Sequence, residues 1–270
     1  HGVLENEGPR GGAHFDDAAS FAVELRAAGY HTGYFGKYVN AYMDPTHLVS
    51  EAFSAPAGWD EWQAFLDDDR ATQSRFAMIG SRGIRYYGRS SAAYSTDTLE
   101  GQALAFVDEA ASREEPFLLV VATSAPHWPY EPAPRHRGSL ADSPAWRPAN
   151  FFESDVSDKP AWVQALPAWN ALRDYGAQTT RIASLEMLLA VDELVESLLE
   201  RLEVLGVADD TLLVFTSDNG MGWGEHRWQS KACPWEECLR VPLLIRYPRL
   251  APLPRSEEAL ALNIDLASTF

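Results

Sequence analysis

IASLEMLLAVDELVESLLERLEVLGVADDTLLVFTSDN, residues 182–219, is the stretch whose reading decides the fold. Ile182, Leu185, Leu188, Leu189, Val195, Leu198, Leu199, Leu202 and Leu205 recur at helical spacing and form one apolar stripe, which Gly206 ends. Thr211 to Thr216 follows at once as a buried strand and runs into the polar turn Ser217-Asp218-Asn219-Gly220. A helix with one face to cover, feeding a strand, is the repeating unit of an α/β protein.

Two weaker copies of that unit lie upstream. Asp16-Asp17 reads as an N-cap, Ala18, Phe21, Ala22, Leu25 and Ala28 as a helical stripe, Gly29 as its end, and His31 to Phe35 as a short strand. The next helix starts near Ser95-Thr96-Asp97, with Asp97 and Glu100 at capping-box spacing. It continues through Ala103, Phe106, Val107 and Ala110 into the apolar strand Phe117 to Ala122, and Val241 to Ile245 supplies a fourth strand. Helices alternating with buried strands predict an α/β sandwich around a largely parallel sheet. The stretches from about Tyr38 to Tyr94 and from Pro129 to Trp169 are rich in Pro, Gly, Trp, Asp and Arg and lack periodicity. They read as long functional loops.

The 270 residues, 46% of them hydrophobic, suffice for one large domain and a substantial core. Lys plus Arg is 22 against 39 for Asp plus Glu, a net charge of −17. That excludes generic nucleic-acid binding, which needs a basic surface, but leaves room for an anionic substrate in a locally basic pocket. Cys233 and Cys238 read as ordinary thiols, because a zinc site or a disulfide framework would call for further ligands or cysteines. No apolar run approaches the ~20 residues of a membrane helix. The chain opens at His1 with no signal peptide in view, and that start reads as internal to a longer protein.

Ligands of open α/β sheets bind beyond the carboxyl ends of the strands. Here those ends carry Gly36-Lys37, then Ala125-Pro126-His127-Trp128-Pro129, then Ser217-Asp218-Asn219-Gly220 with Gly224-Glu225-His226 and Lys231 after it. Singly, each has an ordinary reading: a solvated lysine, a structural histidine, a common Asp-Asn-Gly turn. Together they make a coherent chemistry. Asp218 and Asn219 offer hard oxygen ligands that suit Ca²⁺ or Mg²⁺. Lys37 and Lys231 balance the charge of a tetrahedral oxyanion, with His226 beside them as a further substrate contact, and His127 protonates a leaving alkoxide. The set fits sulfuryl or phosphoryl transfer, with no evident nucleophile. All five main residues are expected at one edge of one sheet.

Several segments resemble the signature blocks of the sulfatases: LRAAGYHTGYFGKYVNAY, PFLLVVATSAPHWPYEPAPRH and LLVFTSDNGMGWGEHRWQSKACPWEECLRVPLLIRYP, closed by NIDLASTF. AGWDEW, YSTDTLEGQALAFVDEA and ESDVSDKPAW resemble the branch that holds N-acetylglucosamine-6-sulfatases and extracellular heparan sulfatases. The resemblance implies a three-layer α/β/α sulfatase and alkaline-phosphatase-like domain filling residues 1–270, incomplete at both ends. It implies hydrolysis of a sulfated sugar or glycan, a Ca²⁺ ion held by Asp218 and Asn219, sulfate contacts from Lys37 and Lys231, and leaving-group assistance from His127. Val39 and Asn40 occupy the place where many sulfatases carry a second histidine. A formylglycine made within C/S-x-P-x-R, and paired Asp ligands, are expected upstream of HGVLEN; Cys233-Pro234 has the wrong spacing to replace the motif. The chain alone is therefore expected to be inactive, and its parent secreted, periplasmic or lysosomal. Two competing readings are a phosphoester hydrolase of the same superfamily, marked by Thr or unmodified Ser as nucleophile, and a non-catalytic binder of sulfated glycans. For the latter, Trp128, Trp223 and Trp228 either stack on sugar rings or pack under loops.

Overall fold

A computed structural model describes residues 3–5, 11–40, 55–66, 71–88, 93–113 and 115–270. They fall into two units: His1–His136 with Met187–Ala208 and Ile264–Phe270, and Arg137–Glu186 with Asp209–Asn263. In chain order the elements are α1 (Phe21–Ala27), β1 (His31–Gly36), β2 (Glu61–Phe65), β3 (Phe76–Gly80), β4 (Gly83–Tyr87), α2 (Ser95–Ala111) and β5 (Phe117–Ala122). There follow α3 (Ala161–Gln164), α4 (Ala171–Val204), β6 (Leu213–Thr216), α5 (Glu236–Leu239), β7 (Leu243–Arg246) and α6 (Asn263–Thr269).

The first unit is built on β1, every residue of which is buried. It pairs in parallel with β2 on one side and β5 on the other, in the sheet order β4-β3-β2-β1-β5. Successive β1 side chains point to opposite faces. Phe35 joins Phe106, Val107, Leu99 and Ala110 of α2 and Leu194 and Leu202 of α4 in one apolar cluster. Tyr34 joins Ala22 of α1 with Trp59, Trp62, Ala64 and Ile79 in another. Helices on both faces give the three layers, and full burial of a side chain the size of Phe106 stabilises by roughly 1.5–3 kcal/mol. Gly33 is small for a reason: a Cβ there would lie 2.6 Å from the Phe106 ring.

Several local expectations are corrected. The first helix starts at Phe21 with Ser20 before it, after a 3₁₀ turn over Asp17–Ala19. At α2 the Asp97–Glu100 box does not form: Tyr94 occupies the N-cap, Asp97 accepts from Arg135, and Glu100 accepts from Ser197. The stretch from Tyr38 to Tyr94, read as irregular, contains β2, β3 and β4, while residues 41–54, 67–70 and 89–92 within it lie outside the described residues. The same holds for His1, Gly2 and Asn6 of the HGVLEN segment. β2 shows strand alternation, with Trp62 and Ala64 buried, and β3 and β4 form a hairpin around Ser81-Arg82, aided by Gly83 at φ +90°.

The sheet is mixed: β1, β2, β4 and β5 run the same way, and β3 runs against its neighbours β2 and β4. The expectation of one sheet holding all main strands is not met. In the second unit β6 and β7 pair antiparallel with each other as a separate two-stranded sheet. Paired only with one another among the described residues, they stay half-buried and largely exposed, where a buried strand was expected.

Candidate functional site

In the first unit, Lys37 follows β1 at a joint that only glycine can make. Gly36 has φ +120°, and a Cβ on it would lie 1.9 Å from Ala122 O. Lys37 N–H donates to that same oxygen at 2.7 Å, so the β1 exit is tied to the end of β5. Tyr34 O–H donates to Lys37 O. Burial, with the Tyr38 ring adding to it, pushes the Tyr34 phenol far above its ordinary range, so it remains a donor. Burial pushes Tyr38 to about 12 against a hydrogen bond from Trp59, with the Asp17 charge raising it further.

His127 lies in the loop beyond β5, exposed, with its N–H donating to Ser124 O at 2.8 Å. Its Nδ1 is 2.8 Å from Trp128 O. A carbonyl only accepts, so Nδ1 carries the hydrogen and Nε2 is the nitrogen that gains or gives a proton. The loop stands on a buried polar network that sequence reasoning missed. Ser95 Oγ donates to Gln73 Oε1 at 2.5 Å, and Gln73 Nε2 donates to Ser124 Oγ at 3.3 Å. Gln73, in the bend between β2 and β3, is only 2% exposed. Lys37 and His127 thus follow the ends of neighbouring parallel strands, Gly36 opposite Ala122.

In the second unit, β6 runs into Ser217-Asp218-Asn219-Gly220. Asn219 N–H donates to Asp218 Oδ1 at 2.9 Å, and Asn219 Nδ2 donates to Gly220 O at 2.9 Å. Using its nitrogen this way leaves Asn219 with Oδ1 as its ligand atom beside the exposed Asp218 carboxylate. Both are hard oxygens, so the donor set fits a hard cation. Gly220 admits no side chain, since a Cβ would lie 2.1 Å from Glu237 O.

Lys231 ends a loop closed by Gly222 N–H to Ser230 O and Gly224 N–H to Trp228 O, both 2.9 Å. Its carbonyl accepts from Trp228 Nε1 at 3.1 Å. Buried Glu225 braces the loop by accepting from Trp146 Nε1 and, at 2.6 Å, from Trp223 N–H. Both His226 ring nitrogens are engaged. Asn150 Nδ2 donates to Nε2 at 3.1 Å, Nδ1 faces Glu153 Oε1 at 2.7 Å, and the ring stacks on Trp235 at 4.5 Å. Cys233 and Cys238, read as thiols, form a disulfide. The pairing needs no larger framework, because α5 returns the chain until the two Cα atoms are 5.5 Å apart. Of the three tryptophans offered for sugar stacking, Trp128 is 62% exposed and Trp228 packs edge-on against Trp162.

The Sulfatase family model matches residues 2–270. The chain belongs to the sulfatase family. A human sulfatase, N-acetylglucosamine-6-sulfatase, is 33% identical, over 93% of this chain and 45% of its own length. The arylsulfatase of Volvox carteri is 32% identical, over 94% of this chain and 42% of its own length. Among solved sulfatase structures, one in complex with its substrate D-glucosamine-2-N,6-O-disulfate superposes with a TM-score of 0.67 at 26% identity, covering 87% of this chain and 57% of that one. The chain spans about half the length of the sulfatases it matches. Membership of this family implies a metal-binding site. No helix among the described residues is long and apolar enough to cross a membrane.

Proposed function

We propose that the protein carrying this chain hydrolyses sulfate esters on an amino sugar. The observation that carries the reading is the pairing of Lys37 and His127 beyond neighbouring strand ends, with the His127 tautomer fixed by Trp128 O. Similarity to a glucosamine-disulfate enzyme and to N-acetylglucosamine-6-sulfatase supports the substrate class. Lys37 of the first unit and Lys231 of the second are each assigned a sulfate contact by charge, and Asp218 with Asn219 would hold Ca²⁺. When bound, that ion withdraws electron density from the sulfate oxygens. His127 Nε2–H protonates the departing sugar oxygen, which is a poor leaving group as a bare alkoxide. His226 anchors the loop that presents Lys231. No C/S-x-P-x-R motif occurs in the 270 residues, so the nucleophile is assigned to residues outside them. The Cys233–Cys238 disulfide favours an oxidising compartment, in keeping with secretion or a lysosomal destination.

The test compares 6-sulfated glucosamine with an aryl sulfate and a phosphomonoester on the full-length protein. The sugar sulfate is expected to be preferred. His127→Gln should lower its kcat about 10²–10⁴-fold, the usual contribution of a general acid. Aryl sulfate turnover should fall less, because a phenolate departs without a proton. Activity confined to the phosphoester would overturn the reading.

A further inference from the structure

We infer that the first unit carries a second metal site, for a divalent transition ion of the zinc class, at the opposite end of β1 from Lys37. The site is made by His31, Glu61 and Glu109. One nitrogen or oxygen from each lies within 4.8 Å of the others. His31 opens β1, Glu61 opens β2, and Glu109 lies in the last turn of α2. Six residue steps along β1 separate His31 from Lys37, about 20 Å of extended chain, so this place is remote from Lys37.

Two exposed carboxylates alone would be unremarkable; the histidine is what sets this cluster apart. The His31 side chain is 8% exposed, and its Nε2 is buried and makes no hydrogen bond. The ring is locked by stacking on Phe106, with centroids 5.0 Å apart and planes 10° apart. Its Nδ1 faces Asp60 Oδ2 at 3.5 Å. Asp60 is itself fixed by Arg26 Nε at 2.7 Å and by Thr32 N–H at 3.0 Å. Asp60 thus places a carboxylate behind Nδ1, where the outer partner of a metal-ligating histidine sits, and leaves Nε2 turned toward Glu61.

Buried and without a hydrogen bond, Nε2 is the ring nitrogen left to a cation. Nε2 and Glu61 Oε1 are 3.4 Å apart. Two ligands at tetrahedral zinc, each roughly 2.0–2.2 Å from the ion, are separated by about 3.3–3.5 Å. Glu109 is at present paired with Arg113, and half of its side chain is exposed, so it can turn from that surface contact to the ion. An imidazole and two carboxylates suit zinc, cobalt or manganese better than Ca²⁺, which takes oxygen ligands. Water completes the coordination. Such an ion clamps the starts of β1 and β2 to the end of α2.

The test uses the full-length protein with Ca²⁺ in excess to fill any hard-oxygen site, and Co²⁺ as the visible probe. One equivalent of Co²⁺ should bind with the absorption of a tetrahedral site, and Zn²⁺ should displace it. Glu109→Gln, on the surface of α2, should weaken Co²⁺ at least about tenfold, no less than loss of an outer-shell partner does. Asp60→Asn should weaken it about 10–100-fold, and His31→Gln more, each variant checked for folding by circular dichroism. Wild-type protein that takes up no Co²⁺ would overturn the site. So would uptake unchanged in His31→Gln and Glu109→Gln.

Discussion

Gln73 shows how a single polar residue fixes the candidate site. Its carbonyl oxygens receive the side chain and the backbone N–H of Ser95, at 2.5 and 2.8 Å, while its amide reaches Ser124 two residues before Pro126. Replacing it with Leu keeps the bulk but strands a buried serine hydroxyl, which costs about 1–3 kcal/mol. Urea denaturation of Gln73→Leu should show that loss, and kcat on the sugar sulfate should fall while the aryl sulfate is less affected. Unchanged stability would mean that water replaces the amide. Nothing in the sequence singles out Gln73, because an isolated glutamine in a stretch without periodicity has no pattern to betray its burial. The strand-end positions of Lys37 and His127 were legible, since each follows an apolar strand within a recognisable block. The cystine was not, since two cysteines five apart look the same bonded or free until α5 brings them together.

Between elements, Arg135 ties the segment after β5 to two helices. Its guanidinium donates to Asp97 of α2 at 2.7 and 2.9 Å and to Glu193 of α4 at 2.5 and 2.7 Å. That hydrogen-bonded guanidinium, outweighing a small burial penalty and helped by His136, holds the Glu193 carboxyl below its usual range. A depressed carboxylate pKa contributes stability above the unfolded value, about 4.3, and loses it as pH falls through the folded value. Glu193→Gln should therefore be less stable than wild type at pH 7, by no more than about 1 kcal/mol for so exposed a pair. The gap should narrow as pH falls below about 4.3 and close once it has passed the folded value, in pH-dependent thermal melts. A gap that persisted in acid would assign the loss to packing. α2 and α4 were readable because their stripes span many turns, whereas α3, α5 and α6 are too short to show one. β2 to β4 were not, being five residues each and interrupted by Gly and Arg; the Phe76–Gly80 run and the Gly83 turn were the available signal. Strand composition also does not specify a partner, which is why β6 and β7 were placed in the wrong sheet.

Across the whole molecule, apolar surface is unevenly covered. Leu244 and Ile245 of β7 are 63% and 55% exposed, and Leu250, Leu253 and Leu260 beyond it exceed 75%. Large apolar side chains left exposed in such number favour association. The 270-residue chain expressed alone should self-associate with rising concentration in sedimentation velocity and bind an apolar dye. Leu244→Lys should reduce both. A dye-silent monomer would show that β7 is masked. At the other end of the scale, positions 36 and 37 answer to different kinds of selection. Any side chain at 36 collides with Ala122 O whether or not the protein ever meets a sulfate ester, whereas at 37 the β1 exit draws on an amide and a carbonyl that any residue supplies, and the proposed sulfate contact belongs to the lysine side chain. On the proposed role of Lys37, a descendant that abandoned the chemistry would be held less tightly at codon 37 than at codon 36, so adjacent codons would record separately how long the fold has lasted and how long the activity has.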